Sequence, residues 1–129
     1  MTQEIKILLS KGKRFCDEIW EDYSLWEENY RTAIGCFEEV LKIDPYNVTA
    51  LISLGACFSD CGQHKNALRI LRKAEKIGSN DKNLYFNIGV ALVNIDSTTR
   101  RDAKKYFEKS ASMRKNDLSI EAYFDPMGH

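Results

Sequence analysis

Apolar positions along this chain recur with a helical period, and one arrangement of them returns further on. Leu51, Leu54 and Phe58 share a face at three- and four-residue spacing with Gly55 beside them, and Tyr85, Ile88, Leu92 and Gly89 repeat the set 34 positions later. A second set, Ala67, Leu71 and Ala74, matches Ala33, Phe37 and Val40 at the same step backward and Ala103, Phe107 and Ser110 at a step of 36 forward. The pattern predicts helices over 29–43, 47–61, 64–77, 81–95 and 99–114. Punctuation agrees with it. Asp44-Pro45-Tyr46-Asn47 blocks helix continuation and offers Asn47 as a cap, Gly62 marks a tight turn, and Gly78-Ser79-Asn80 ends one helix with Ser79 or Asn80 free to cap the next. The two extra residues of the longer step fall in Ile95–Arg101, where Thr99 and Asp102 resemble a capping box.

A glycine in a helix interior costs about 1 kcal/mol relative to alanine, so the return of Gly55 as Gly89 predicts a neighbouring helix passing close by, with Ala67 and Ala74 as its flat strip. One helical hairpin cannot bury its apolar face alone, so such pairs stack. A step of 34 with large, large, small, large on one helix and small, large, small on the next resembles the tetratricopeptide repeat (TPR) family. The resemblance implies an all-α, TPR-like superhelical solenoid of about three helix-turn-helix repeats plus a C-terminal capping helix, in a single domain over residues 1–129.

The ends of the pattern are less regular. Repeat one is expected over about 2–46, repeat two over 48–81 and repeat three over 82–117. Setting Leu8, Gly12 and Phe15 against Leu51, Gly55 and Phe58 leaves about nine extra residues before Ala33, which predicts a long first helix over 2–26 that overshoots its partner. An alignment without the insertion would put Glu21 in the small-residue slot. Leu118-Ser119-Ile120-Glu121-Ala122-Tyr123-Phe124 is expected to form the short capping helix over 118–124, with docking in another molecule as the alternative, and residues 125–129 to form a loose end.

Charge excludes some functions. Lys plus Arg and Asp plus Glu both number 19, so bulk charge draws neither nucleic acid nor an anionic bilayer. The distribution runs −4 over residues 1–47, +2 over 48–81 and +2 over 82–129, a pattern of solvated helix faces or of head-to-tail self-association through the N- or C-terminal ends. Charges interrupt the N-terminus where a signal peptide needs an apolar run, and no window reaches the roughly 18 apolar residues of a membrane span, so a cytoplasmic location without membrane insertion is expected. Cys16, Cys36, Cys57 and Cys61 are then expected as reduced thiols. Cys57 and Cys61 with His64 nearby fall short of a zinc ligand set, so no metal and no cofactor are assigned.

No catalytic constellation stands out: there is no phosphate-cradling glycine loop, no Gly-x-Ser-x-Gly and no His-Glu-x-x-His, and Glu27-Glu28 and Glu38-Glu39 are adjacent on helices and point apart. The expectation is a protein that is not an enzyme. The TPR resemblance instead implies a concave groove lined by the first helix of each pair, at Thr49, Ile52, Ser53, Ala56, Ser59 and Asp60 and at Asn83, Phe86, Asn87, Val90, Val93 and Asn94. There the apolar groups would seat side chains and the asparagines would bind an extended peptide backbone, unless the C-terminal helix of the chain fills the groove. Repeats that clamp acidic C-termini carry Asn, Lys and Arg where this chain has Ser53, Asn83 and Asn87, so that function is excluded. Asp44-Pro45-Tyr46-Asn47 with Leu54-Gly55-Ala56-Cys57 and Gly62 is similar to the central repeat of class II chaperones of type III secretion. Trp20, Tyr23 and Trp26 form either an aromatic patch for a partner or a stripe buried by the next helix. The expected function is an adaptor or scaffold binding a protein or peptide, with a secretion-type chaperone and a regulatory subunit of an enzyme as alternatives.

Overall fold

Six α-helices joined by short turns make up the chain in a computed structural model that describes residues 2–123. They are α1 (Gln3–Glu21), α2 (Trp26–Ile43), α3 (Val48–Asp60), α4 (His64–Ile77), α5 (Lys82–Ile95) and α6 (Ser97–Ala111), with a 3-10 turn at Tyr23–Leu25 and no strand among the described residues. Adjacent helices pair as three hairpins, α1 with α2, α3 with α4 and α5 with α6, and the hairpins stack through α2 on α3 and α4 on α5. Helices α1, α3 and α5 also touch in sequence, which makes them the inner layer of an all-α, TPR-like solenoid.

The recurring glycines are contact points inside each hairpin. A Cβ on Gly12 would come 2.5 Å from the Phe37 ring, one on Gly55 2.6 Å from Leu71, and one on Gly89 2.7 Å from the Phe107 ring. Phe37, Leu71 and Phe107 are the large residues of the small-large-small pattern, so the bulk of each second helix enters the space its partner leaves at glycine. The alanine strip expected to face the glycines is buried at Ala67 and Ala74, but the close approach to Gly55 is made by Leu71.

Local chemistry sets the helix ends. The Asn47 side chain accepts the N–H of Ala50 at 2.9 Å and opens α3 directly after the proline turn. Gly62, at φ 83°, closes α3: its N–H reaches the Ser59 carbonyl at 2.9 Å and the Gln63 N–H reaches Phe58 at 2.8 Å, a left-handed turn that a side chain would strain. The cap of α5 is Asp81, which accepts the Asn83 N–H at 2.8 Å, in place of the expected Ser79 or Asn80. Thr99 does belong to a capping box, but as its fourth member: Asp96 accepts the Thr99 N–H at 2.9 Å and Thr99 Oγ1 accepts the Asp96 N–H at 3.1 Å. With Asp96 alone between α5 and α6, the extra residues of this repeat lengthen the start of α6 rather than a loop.

Two expectations at the ends are corrected. Helix α1 stops at Glu21 instead of running to residue 26, because Asp22 turns extended (φ −144°) and its carboxylate accepts the Ser24 N–H at 3.1 Å and Oγ at 2.6 Å. Residues 118–123 form no capping helix. After α6 the chain continues without helix, turning at Asn116–Ser119, and runs along the inner layer; Phe124 and the expected loose end at 125–129 lie outside the described residues.

Candidate functional site

Helices α3 and α5, expected to line the groove, are apolar nearly all round because they are enclosed by neighbours on several sides. That enclosure changes the character of the expected groove positions. Thr49, Ile52, Ser53, Ala56, Ser59, Asn83, Asn87, Val90 and Val93 are buried, and only Asp60, Phe86 and Asn94 are half-buried. Ile52, Ala56, Val90 and Val93, expected to seat a partner's side chains, pack in the protein's own core together with Ile120 and Ala122 of the C-terminal segment. Asn94 bonds the Val90 carbonyl of its own helix at 2.9 Å, and Ser59 shares a 2.7 Å hydrogen bond with His64 Nδ1.

What the groove does hold is an extended stretch of this same chain. Asn87 Nδ2 donates to the Ile120 carbonyl at 2.8 Å, and Asn87 Oδ1 accepts the N–H of Ala122 at 2.8 Å. A carboxamide carries a donor and an acceptor side by side, which suits the carbonyl of one residue and the N–H two residues on, where an extended strand turns both to one side. Asn83 donates to Ser119 Oγ at 3.0 Å, and Asp60 accepts the Tyr123 N–H at 2.6 Å. The N-cap Asp81 holds the start of the segment by accepting the Asn116 N–H at 3.2 Å and Ser119 Oγ at 3.3 Å. Backbone bonding thus runs from the N-terminus of α5 to the C-terminus of α3.

Asp60 is the one ionisable group in this contact line at the α3 end. It accepts the Tyr30 hydroxyl at 2.8 Å as well as the Tyr123 N–H. Burial lifts its carboxyl to about 6, against the lowering effect of those two bonds. Tyr30 is pushed upward by its own burial and by the Asp60 charge, so it stays a hydroxyl donor. Ser53, at the position equivalent to Asn87 one repeat earlier, is fully buried and its hydroxyl has no partner among the described residues.

The expected aromatic patch is split over three elements. Trp20 lies near the end of α1, Tyr23 in the 3-10 turn and Trp26 at the start of α2, and all three are exposed. Trp20 lies 5.8 Å from the Tyr123 ring, centre to centre, so it meets the C-terminal segment at the last described residue. Tyr30 and Asp81 were absent from the expected site; the C-terminal segment was expected there only as the alternative, as a helix, and it lies there without helix. Their signal is long-range backbone bonding, which residue spacing does not encode. The thiols lie elsewhere: Cys57 Sγ is 3.6 Å from Cys16 Sγ, and among the described residues no three His, Cys, Asp or Glu come together as a metal set. Among the described residues no helix is long and apolar enough to cross a membrane.

Residues 24–128, about four-fifths of the chain, match the model of the nicotinate phosphoribosyltransferase (NAPRTase) family, and by that match the chain belongs to the family. The finding corrects the expectation that the chain is not an enzyme, since the family is named for one. As far as residue 123 the matched stretch is carried on the 3-10 turn, helices α2 to α6 and the extended segment. The chain is also similar to the protein CTR9 homolog of Arabidopsis thaliana, 30% identical over 89 residues covering 69% of this chain and 8% of that protein. It is similar to the BBSome complex member BBS4 of Xenopus tropicalis, 24% identical over 127 residues covering 92% of this chain and 24% of that protein. Both contain tetratricopeptide repeats, in keeping with the three hairpins, and both support a general role in protein interaction. The chain spans less than two thirds of either relative and corresponds to a part of each.

Proposed function

We propose that this member of the nicotinate phosphoribosyltransferase family acts as a protein-interaction module that takes an extended peptide segment along the concave face of α3 and α5. The observation carrying this reading is the pair of 2.8 Å bonds from the Asn87 carboxamide to the Ile120 carbonyl and the Ala122 N–H. Those bonds use backbone groups that every peptide has, so the same carboxamide accepts a strand from another molecule. Asn83 and Asp60 extend the line of contact to either side. The groove residues that serve here are therefore Asn83, Asn87 and Asp60, with the half-buried Phe86 at the rim.

Selecting peptides from a displayed random library on the full chain, then measuring the winners against Asn87→Ala, tests the reading. Losing two backbone bonds worth about 1 kcal/mol each lowers affinity by about tenfold or more. Affinity that is indifferent to Asn87 moves the site to another surface.

A second reading draws on the family match: the hairpin stack serves as the docking or regulatory part of an enzyme of the matched family. A purified chain that binds such an enzyme and shifts its rate would support that reading.

A further inference from the structure

The groove is not empty in this chain, and it is filled through polar anchors on the backbone as well as through the core packing of Ile120 and Ala122. Residues 112–117 after α6 are exposed apart from the half-buried Met113, and among the described residues no helix includes anything beyond Ala111. Within the seated segment Ile120 and Ala122 are buried while Glu121 and Tyr123 are exposed, the alternation of an extended strand lying on a surface. The anchors at Asn83, Asn87, Asp60 and Asp81 are polar, so water can replace the segment at each of them, while the core contacts of Ile120 and Ala122 have to be remade by whatever takes its place. Beside the segment lies a mainly apolar cleft of about 420 Å³, lined by Lys82, Phe86, Phe107, Ser110, Ala111 and Glu121. Glu121 borders this cleft with a charged side chain, where an apolar one would gain by entering it.

We propose that residues 118–123 are a displaceable internal ligand that holds the groove closed, and that the partner is an extended segment reading branched apolar, apolar, small, aromatic in place of Ile120, Glu121, Ala122 and Tyr123. The proposal rests on the groove reading above. A partner of this pattern makes the same backbone bonds to Asn87 and Asp60 and adds the cleft contact that the glutamate does not make. Its competitor is tethered a few residues from α6 and so acts at an effective concentration on the order of millimolar. Closure by the tail therefore lowers apparent affinity without altering the groove.

The probe is a fluorescent octapeptide of residues 116–123 carrying Glu121→Leu, titrated by anisotropy into the full chain. Ala122→Pro removes the N–H that Asn87 accepts and should loosen the tail, so this variant is expected to bind the probe about tenfold more tightly than the unaltered chain. Adding Asn87→Ala should abolish the gain. In the unaltered chain, saturating unlabelled probe should speed hydrogen exchange at the Ala122 and Tyr123 amides, a readout that stands even if Ala122→Pro folds poorly. Equal, Asn87-dependent affinities with no change in exchange would overturn the internal-ligand proposal and leave the groove as a peptide site. Binding that ignores Asn87, or no binding by either protein, would overturn both readings. Light scattering that finds the chain dimeric, with exchange at those amides slowing as the dimer forms, would replace the foreign partner with the tail of a second copy.

Discussion

The ring of Phe37 occupies the place of a side chain on Gly12: a Cβ built there would stand 2.5 Å from its Cζ and 2.6 Å from Cε1. Phe37 is fully buried, so its ring has no solvent to retreat into. Gly12→Ala would gain about 1 kcal/mol of helix propensity and lose about 1–3 kcal/mol to overpacking. A net loss of stability is therefore expected in urea melts. At Gly55 a Cβ would stand 2.6 Å from both Cγ and Cδ2 of the fully buried Leu71, so Gly55→Ala should lower stability as well. A gain at both sites would show that the hairpins are not held at these contacts.

Asp81 has two duties that one substitution separates. It caps α5 through the Asn83 N–H and pins the C-terminal segment through the Asn116 N–H and Ser119 Oγ. Asp81→Ala should lower stability by about 1–2 kcal/mol for the cap. It should also speed hydrogen exchange at Asn116. Asp81→Ser retains a capping oxygen but is too short to reach both sites, so it should recover most of the stability and little of the protection. Equal protection at Asn116 in all three proteins would show that the segment is anchored by Asn83, Asn87 and Asp60 without Asp81.

The hairpins were legible because the 34-residue step records the geometry directly: Gly55 with Leu71 and Gly89 with Phe107 are each a space and its filler, written as residue size. The break between α1 and α2 was not legible, because the aromatic run Trp20–Trp26 reads as helix and only the Asp22 carboxylate, bonded to Ser24, turns it aside. The tail was hardest. Leu118–Tyr123 has helical letters, but its backbone is held by the side chains of Asn87 and Asp60 and its Ser119 hydroxyl by Asn83 and Asp81, all far back in sequence. Such bonds override local propensity and leave no periodic mark. The same enclosure turned Ile52, Ala56, Val90 and Val93 from expected groove lining into core.

The cysteines should resist modification in a defined order. Cys57 is fully buried, and its contact with Cys16 and its burial both push its thiol upward. Cys61 is only half-buried, yet burial and the nearby Asp60 charge raise it to about 11, so little thiolate exists at neutral pH. Alkylation of the native chain followed by mass measurement should label Cys61 first and slowly, with Cys57 reacting only as the chain unfolds. Rapid labelling of Cys57 under native conditions would contradict the packing of α1 on α3.

Asp60 links stability to pH. Its carboxyl stands at about 6 in the folded chain against an ordinary 3.8, so the folded state holds this proton more tightly than the unfolded state does. The stability it contributes is fully present below about 3.8 and is lost as pH rises through about 6. The loss amounts to at most about 3 kcal/mol, less what water at the half-buried carboxylate returns. Asp60→Asn cannot ionise, and its amide accepts from only one of Tyr30 and Tyr123, which costs about 1 kcal/mol at every pH. Of the titratable groups around it, Tyr30, Cys57 and Cys61 are all raised and stay protonated across this window. His64, bonded to the neighbouring Ser59, is lowered by burial and contributes with the opposite sign, but equally in both proteins. The difference in unfolding free energy between the two chains should therefore shift in favour of Asp60→Asn as pH is raised from 4 to 7.5. Parallel curves in denaturant titrations at those pH values would mean that Asp60 ionises as it does in the unfolded chain, and that its place between Tyr30 and Tyr123 is open to water.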